Sequence, residues 1–399
     1  MAAGDHRGGR PITIGLVWAQ FAAYHIDRCE AVARRFEGRA TVLAVEVATT
    51  SSDYAWEPSG AITGGRKVTL FPGKSFDQLS NWQRFRGCWA ELRQCDWVCI
   101  GLSYAELSTI LLVVILRLSG KRMVVFSESK LDDKPRNTLG ELAKRLILWP
   151  YNAAIVGATR HIAYFRMLGF RRRAVLPGYD GVGLDRVRAQ GGGQLAPGGR
   201  PFEQRDFVFV GRFVDKKNLP HLVESFARYV AIAGAGARRL VLVGSGPDEP
   251  ALRAMVGTLG LADQVEFPGF LPAGAVSRCL ADALALVLPS VEEQWGLVVN
   301  EALAFGLPVI VSHQVGSRDA LVRDGVNGHV VTSDSVEQLA QAMHDIASDR
   351  GKWEAKVAAS HQRAWLGDCE RLADALELLI EPQNAHARAN VDRFLAQLA

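Results

Sequence analysis

Glu293 and Glu301 enclose seven residues in the stretch Val291–Gly306, VEEQWGLVVNEALAFG. An apolar run of strand length, Ala283–Pro289, leads into it, and Gly306 and Pro308 end the helical pattern that follows. A helix starting near Gly296–Leu297 leaves Glu293 in the preceding loop and puts Glu301 about one turn in, on the face of Leu297. The N–H groups of Gly296, Leu297 and Val298 then point one way, with the positive end of the helix dipole behind them. That constellation suits a diphosphate flanked by two carboxylates able to accept hydrogen bonds from sugar hydroxyls. Acidic residues in a first helical turn also arise from the dipole alone, so the reading needs support from elsewhere in the chain.

Support comes from Phe207–Asn218, FVFVGRFVDKKN. The run Phe207–Val210 has the character of a buried parallel strand. It ends in Gly211-Arg212, and Lys217 follows five residues after the arginine. Gly211 lets the backbone approach a ligand, while Arg212 and Lys217 place two positive charges over a pyrophosphate; Lys216 is the lesser candidate of the lysine pair. A solvated basic turn is the plain alternative. Leu240–Pro247, LVLVGSGP, is another strand ending in a glycine turn, at Gly244 and Gly246. It lacks the third glycine of a dinucleotide fingerprint and does not argue for NAD.

These segments, followed by GLPVIVS, Gly316 and RDGVNG, resemble in type and order the donor-binding domain of the retaining glycosyltransferases of the GT-B fold, family 4 (group 1), whose motif is E-x7-E. The resemblance covers Asp206 to about Val331. It implies two Rossmann-like parallel-sheet domains facing each other across a cleft, and transfer of a hexose from a UDP-, GDP- or ADP-sugar to a glycan or lipid-diphosphate-linked acceptor, in bacterial surface polysaccharide synthesis. Arg212, Lys217 and the helix start at Gly296, Leu297 and Val298 would stabilise the leaving diphosphate. Glu293 would hold the donor sugar and Glu301 the ribose. Same-face attack with the leaving phosphate taking the proton is implied, without cofactor or metal. Asp132-Asp133, an adjacent pair on a loop, reads as solvated rather than metal-binding. The N-terminal half departs from the family. Trp18-Ala19-Gln20-Phe21 stands where many relatives have a glycine pair, which leaves the phosphate grip to the second domain. Ser127-Glu128-Ser129 stands where they have a histidine, so Glu128 is a candidate for that role, with His25 and Arg28 as alternatives. In PGYDGV, Gly183 occupies a position where Asp is common.

Strand-length apolar runs alternate with helical patterns in both halves, as parallel sheets covered by helices require. The expected strands are Ile12–Val17, Ala40–Val47, Trp97–Gly101, Met123–Ser127 and Ala153–Val156, then Phe207–Val210, Leu240–Val243, Val265–Pro268, Leu284–Leu288 and Val309–Val311. The glycines and proline of Gln190–Arg200 mark a hinge. The expected organisation is an N-terminal acceptor domain over 1–189, a linker over 190–205, a nucleotide-sugar domain over 206–380, and a C-terminal helix over 381–399 packing back on the first domain.

Residues 1–200 carry 28 Lys and Arg against 17 Asp and Glu, and the remainder 18 against 25, within a net charge of +4. A basic first half fits phosphorylated ligands or an anionic membrane surface. Zinc-finger spacing and aromatic–basic RNA motifs are absent, which excludes nucleic acid as the expected partner. Arg160, Arg166, Arg171, Arg172 and Arg173 are the densest basic group. Ile12–Tyr24 reads as a first strand and turn rather than a signal peptide, and Leu107–Leu118 as a buried helix too short to span a bilayer. Six cysteines without C-x-x-C read as reduced, mostly buried thiols. The expected location is cytoplasmic, peripheral on the inner face of the plasma membrane. Rival readings are a nucleotide-sugar epimerase or a sugar phosphorylase of the same fold, the latter with Lys216 or Lys217 holding pyridoxal phosphate, and an inactive partner subunit.

Overall fold

The computed structural model describes residues 11–51 and 60–398. Residues 1–10 and 52–59 of the expected first domain, and Ala399 of the expected last segment, lie outside the described residues. The first sheet contains β1 (Ile12–Trp18), β2 (Ala40–Thr50), β3 (Arg66–Ser75), β4 (Trp97–Ile100), β5 (Arg122–Ser127), β6 (Ala153–Val156) and β7 (Ala174–Pro177). The second contains β8 (Phe207–Val210), β9 (Leu240–Val243), β10 (Val265–Gly269), β11 (Ala285–Leu288), β12 (Val309–Ser312) and β13 (Gly328–Val331). Both are wholly parallel, in the orders β3-β2-β1-β4-β5-β6-β7 and β10-β9-β8-β11-β12-β13. Every expected strand is present. β3, β7 and β13 are additional, and all three are sheet edges, where pairing on one side only leaves a shorter or more exposed apolar run. Parallel sheets need covered faces, which is why the central strands are nearly continuous Val, Ile and Leu.

The helices of the first half are α1 (Ala23–Arg35), α2 (Asn81–Leu92), α3 (Leu107–Leu118), α4 (Thr138–Ile147), α5 (Thr159–Met167) and α6 (Leu184–Gln190). Those of the second are α7 (Leu219–Ala233), α8 (Glu249–Thr258), α9 (Ala273–Asp282), α10 (Val298–Ala304), α11 (Arg318–Leu321), α12 (Val336–Ser348), α13 (Arg350–Ala364), α14 (Glu370–Ile380) and α15 (Ala385–Ala396). In each sheet the strand order reverses once, between β1 and β4 and between β8 and β11. Crevices for ligands open at such switch points, beyond the carboxyl ends of the strands.

The chain passes between domains at places other than the glycine-rich segment. α6 already packs on α9 and α10, and the loop after it is fixed to the second domain: Ala196 N–H donates to Phe305 O at 3.0 Å and Gly191 lies against the Phe305 ring. The crossings are Gly178–Gly183 on the way out and Gly367–Cys369 on the way back, joined by a parallel bridge between Val182 and Asp368. Val182 N–H donates to Gly367 O at 3.0 Å and Cys369 N–H to Val182 O at 2.9 Å. A β-carbon on Gly178 would meet the Arg371 carbonyl at 2.7 Å, so the close approach of the two strands requires glycine.

α14 therefore lies on the first domain, ahead of the expected return at 381. Leu372, Ala373, Ala375 and Leu376 share a core with Ile14, Leu16 and Val32. Ion pairs reinforce the apolar contact: Arg35 meets Glu370, Asp374 and Glu377, and Arg39 meets Glu377 and Glu381. α3 also differs from expectation. Leu112, Val113 and Leu116 are buried, but Leu107, Leu111, Val114 and Leu118 face solvent. No helix among the described residues is long and apolar enough to cross a membrane.

Arg35→Ala leaves the nearly buried carboxylates of Asp374 and Glu377 with one arginine each, Arg371 and Arg39. The expected cost is about 2 kcal/mol in a urea unfolding titration, that of lost charged hydrogen bonds. A change within about 0.5 kcal/mol would mean that α14 is held by its apolar face alone.

Candidate active site

The two loops that leave β8 and β11 meet at the switch point of the second sheet. Lys216 O accepts from Val291 N–H at 2.9 Å, tying the loops together. Asn218 adopts the left-handed region, φ 57°, and its amide donates to Ser333 O at 2.8 Å and Pro289 O at 3.3 Å. This anchor turns Lys217 back over the sheet, where its Nζ pairs with the Glu293 carboxylate. Ser290 Oγ donates to the same carboxylate oxygen at 3.2 Å. Glu293 is held from behind as well: Gly316 N–H donates to its carbonyl at 3.1 Å, and a side chain at 316 would collide with Gln294 O.

α10 begins one residue beyond the expected start, with Leu297 as N-cap and Glu301 in its first turn. Val299 N–H bonds Gly296 O, and Glu301 N–H bonds Leu297 O. The N–H groups of Gly296, Leu297 and Val298 precede that turn, next to Glu293. Arg212 is exposed on the β8 loop. Gly244 and Gly246 pack against the β8 loop. Their α-carbons press on the Gly211–Phe213 backbone, Phe213 N–H donates to Ser245 O at 2.8 Å, and β-carbons there would overlap main-chain atoms. The two glycines thus support the loop that carries Arg212.

Glu301 is set apart from Glu293. It lies beside Arg186 of α6 and Asp27 of α1, and burial outweighs the Arg186 charge, pushing its carboxyl up to about 7. Asp27 bonds Arg186 at 2.7 Å and accepts from Gly183 N–H at 2.8 Å. A β-carbon on Gly183 would meet the Asp27 carboxylate at 2.7 Å. Glycine at 183 thus makes room for a carboxylate arriving from α1.

Across the cleft, β5 delivers Glu128 toward Glu293. Glu128 neighbours Asp180 and the fully buried Arg28, whose guanidinium donates to Gly181 O at 3.0 Å and lies 3.7 Å from Asp180. Burial raises both carboxyls, that of Asp180 well above the ordinary range, and each acts on the other while Arg28 opposes the rise. Sequence reasoning passed over Asp180 although PGYDGV was in view, because its burial depends on the domain crossing. His25 is buried at the start of α1. Its Nδ1 accepts from Ala22 N–H at 2.9 Å, and burial, then the Arg28 charge, hold it well below its ordinary pKa. It caps α1 as a neutral imidazole.

The turn after β1 is filled by aromatic side chains. Trp18 Nε1 donates to Tyr179 Oη at 2.9 Å, Trp18 stacks on Phe126, and Phe21 N–H is taken by Glu46 at 2.9 Å. Of the basic group, Arg160 is a domain clamp rather than a surface residue, bonded to Asp319 at 2.8 Å and paired with Asp132. Arg173 donates to the Leu148 and Tyr151 carbonyls at 2.8 and 2.7 Å. Asp133 is buried against Lys130 at 2.8 Å, against the expectation of a solvated pair. Among the described residues, no group of three or more His, Cys, Asp or Glu is placed to hold a metal ion.

A second layer, unread in the sequence, joins the halves of the site. Trp295, in the middle of the glutamate motif, is buried and donates to Asn300 Oδ1 at 2.9 Å. Asn300 Nδ2 donates to Asp180 O at 2.7 Å and Gly367 O at 2.9 Å. His161 of α5 lies over Trp295 and its Nε2 contacts Gln294 O at 3.1 Å; burial lowers its pKa to about 4.

Known proteins share parts of this arrangement. Residues 195–363 match the family model described as glycosyl transferases group 1. An uncharacterized glycosyltransferase of Methanocaldococcus jannaschii is 30% identical over 149 residues, 37% of each chain. A putative colanic acid biosynthesis glycosyltransferase of Salmonella typhimurium is 31% identical over 172 residues, 42% of this chain and 41% of its own. The matched stretch thus spans about two fifths of the curated relatives' length. In structure, Anabaena HepE in complex with UDP superposes with a TM-score of 0.67 over 93% of this chain and 100% of its own, at 15% identity. The fold is GT-B, as the resemblance implied.

A carboxyl whose folded pKa exceeds its unfolded value makes the protein less stable as pH rises between the two. For Glu301 that window runs from the ordinary 4.5 to about 7. Glu301→Gln is expected to remove about 1–2 kcal/mol of this loss, allowing for screening, and so to flatten the fall in Tm between pH 5 and 7. An identical pH slope in parent and variant would show that Glu301 titrates normally.

Proposed function

We propose that the protein is a retaining glycosyltransferase of family 4 that moves a hexose from a nucleoside-diphosphate sugar to a glycan or lipid-diphosphate-linked acceptor. The observation that carries the reading is the Lys217–Glu293 pair at the β8/β11 switch point, facing Glu128 across the cleft. The match of residues 195–363 to a glycosyltransferase family model supports the activity, and the UDP in a structural neighbour supports the donor class. The colanic acid relative supports a role in surface polysaccharide synthesis.

In this reading the ion pair holds both groups in place until the donor arrives. The diphosphate then competes for Lys217, and hydroxyls of the sugar donate to Glu293. Arg212, Lys217 and the N–H groups of Gly296, Leu297 and Val298 stabilise the charge that grows on the leaving diphosphate. Glu301, with Arg186 beside it, takes the ribose. The bond from the anomeric carbon to the phosphate oxygen breaks, the acceptor oxygen bonds that carbon from the same face, and its proton passes to the leaving phosphate. Glu128 lines the acceptor side, and Arg28 and Asp180 fix its position. Fixed cations fill the charge-neutralising role that a metal ion plays elsewhere, so the transfer is proposed to need no metal or other cofactor. The place of work is the cytoplasm, at the inner face of the plasma membrane.

Lys217→Ala is expected to weaken UDP, GDP or ADP binding about tenfold or more, since a charged hydrogen bond contributes roughly 1.5–3 kcal/mol. Calorimetric titration measures this, and unchanged affinity for whichever nucleotide the parent binds would remove Lys217 from the diphosphate site. Glu293→Ala is expected to lose turnover far more than nucleotide affinity. With an acceptor in hand, NMR of the product reads the anomeric configuration, and an inverted centre would refute retention. EDTA should leave the rate unchanged.

A further inference from the structure

α4 has its polarity reversed. Leu139, Leu142 and Leu146, with Trp149 just beyond the helix, recur at helical spacing and form one stripe, and they are 81%, 49%, 77% and 77% exposed. Its polar residues are the ones bonded to the protein: Glu141 accepts from Tyr164 Oη at 2.8 Å, Lys144 donates to Tyr164 Oη at 2.9 Å, and Arg145 donates to Met167 O at 2.7 Å. α4 buries none of its residues. A helix in water has the opposite arrangement, because each exposed leucine forgoes its transfer free energy.

α3 continues the surface. It covers the same face of the first sheet, where Leu112, Val113 and Leu116 share a core with Leu148. Its outer side leaves Leu107, Leu111, Val114 and Leu118 in solvent. Tyr104, just before α3, meets Ser129 at 3.4 Å on the segment that leads into α4. Cations border the two stripes. Lys134 precedes α4, Arg117 lies on α3, and Arg145, Arg166, Arg171 and Arg172 are exposed around the far end of α4, where Arg173 holds the Leu148 and Trp149 carbonyls. Exposed acids are scarce there: Asp132 is paired with Arg160 and Glu106 with Arg84.

We infer that the outer faces of α3 and α4 dock the protein on an anionic lipid bilayer, with the leucines and Trp149 entering the headgroup boundary and the bordering cations meeting the lipid phosphates. An apolar stripe rimmed by Lys and Arg is the chemistry of an interfacial helix, and tryptophan favours that depth. The charge border selects a bilayer over a second copy of the chain, since facing copies would bring like charges together. The inference is independent of the transfer reading. If both hold, Glu128 sits ten residues before α4 starts at Thr138, and the cleft opens close to the surface that carries a lipid-linked acceptor.

The test is co-sedimentation of the full chain with vesicles of phosphatidylcholine alone and of phosphatidylcholine with phosphatidylglycerol. Binding is expected to the mixed vesicles, to fall with rising salt, and to be much weaker on neutral ones. Leu146→Glu with Trp149→Glu should lower partitioning about tenfold or more, while thermal unfolding without lipid stays near the parent's. Leu139→Glu, at a more exposed position, serves if the double variant misfolds and should lower binding in the same direction. Arg171→Glu with Arg172→Glu should weaken binding to the mixed vesicles only. Failure of the parent to bind mixed vesicles, or equal binding by parent and leucine variants, overturns the proposal. So does a parent dimer in sedimentation equilibrium that the same variants dissolve while neither form binds lipid.

Discussion

The amide of Asn300 closes the molecule. Two chain segments cross between the domains side by side, and a single side chain from α10 donates to a carbonyl on each, Asp180 on the outward strand and Gly367 on the return. Its own oxygen is fixed by the Trp295 indole, so the amide has no alternative orientation that satisfies all three bonds. These groups are buried, and a buried amide without its partners costs several times what a surface hydrogen bond contributes. The contact therefore sets where the second domain sits above the first. It comes from the loop-helix unit that also carries Glu293 and Glu301, so the position of these carboxylates and the position of the domain crossings are one geometric fact.

From that constraint the cleft follows. With the crossings fixed, the carboxyl ends of β8 and β11 face the carboxyl end of β5, and Glu128 comes within electrostatic reach of Glu293. Burial raises the Glu128 and Asp180 carboxyls; the Glu128 charge pushes Asp180 further up, while the Arg28 charge and the hydrogen bond with Asp180 oppose the rise at Glu128. On the wall formed by the second domain, Arg212 is exposed and Lys217 only partly buried, so solvent can reach both cations. The two walls differ in kind: one is a preassembled, desolvated cluster, and the other is an exchangeable ion pair.

Charge is partitioned by the same architecture. The positive excess before residue 200 includes three uses that composition could not distinguish. Arg35 and Arg39 clamp the returning α14. Arg28 is buried under the Glu128 and Asp180 carboxyls, and the partly buried Arg160 spans the domains. A third group, around α4 and the Arg171-Arg172 turn, faces outward and borders the exposed leucines of a helix whose polar side is turned in.

Much of this was legible in the chain. Central strands buried on both faces must be uninterrupted apolar runs, so nine of the ten expected strands could be read from that pattern, the edge strand β10 being the exception, and the glycine and charge order after Phe207–Val210 and Ala283–Pro289 marked the two loops that meet at the switch point. Edge strands β3, β7 and β13 were silent because half their surface answers to solvent. Glycines were visible as glycines, but their reason was not. Gly244 and Gly246 support a neighbouring loop, Gly183 yields to Asp27, and the glycine-rich 190–200 is bound to one domain rather than swinging between two. The fates of His25 as a buried cap, Arg160 as a clamp and Asp180 as part of a carboxyl pair were likewise decided in three dimensions. Local sequence determines which groups a segment carries and how they repeat, because helix and strand periods are local. Which of those groups loses its water, and which meets a partner from 120 or more residues away, is determined only when two sheets and two chain crossings bring them together.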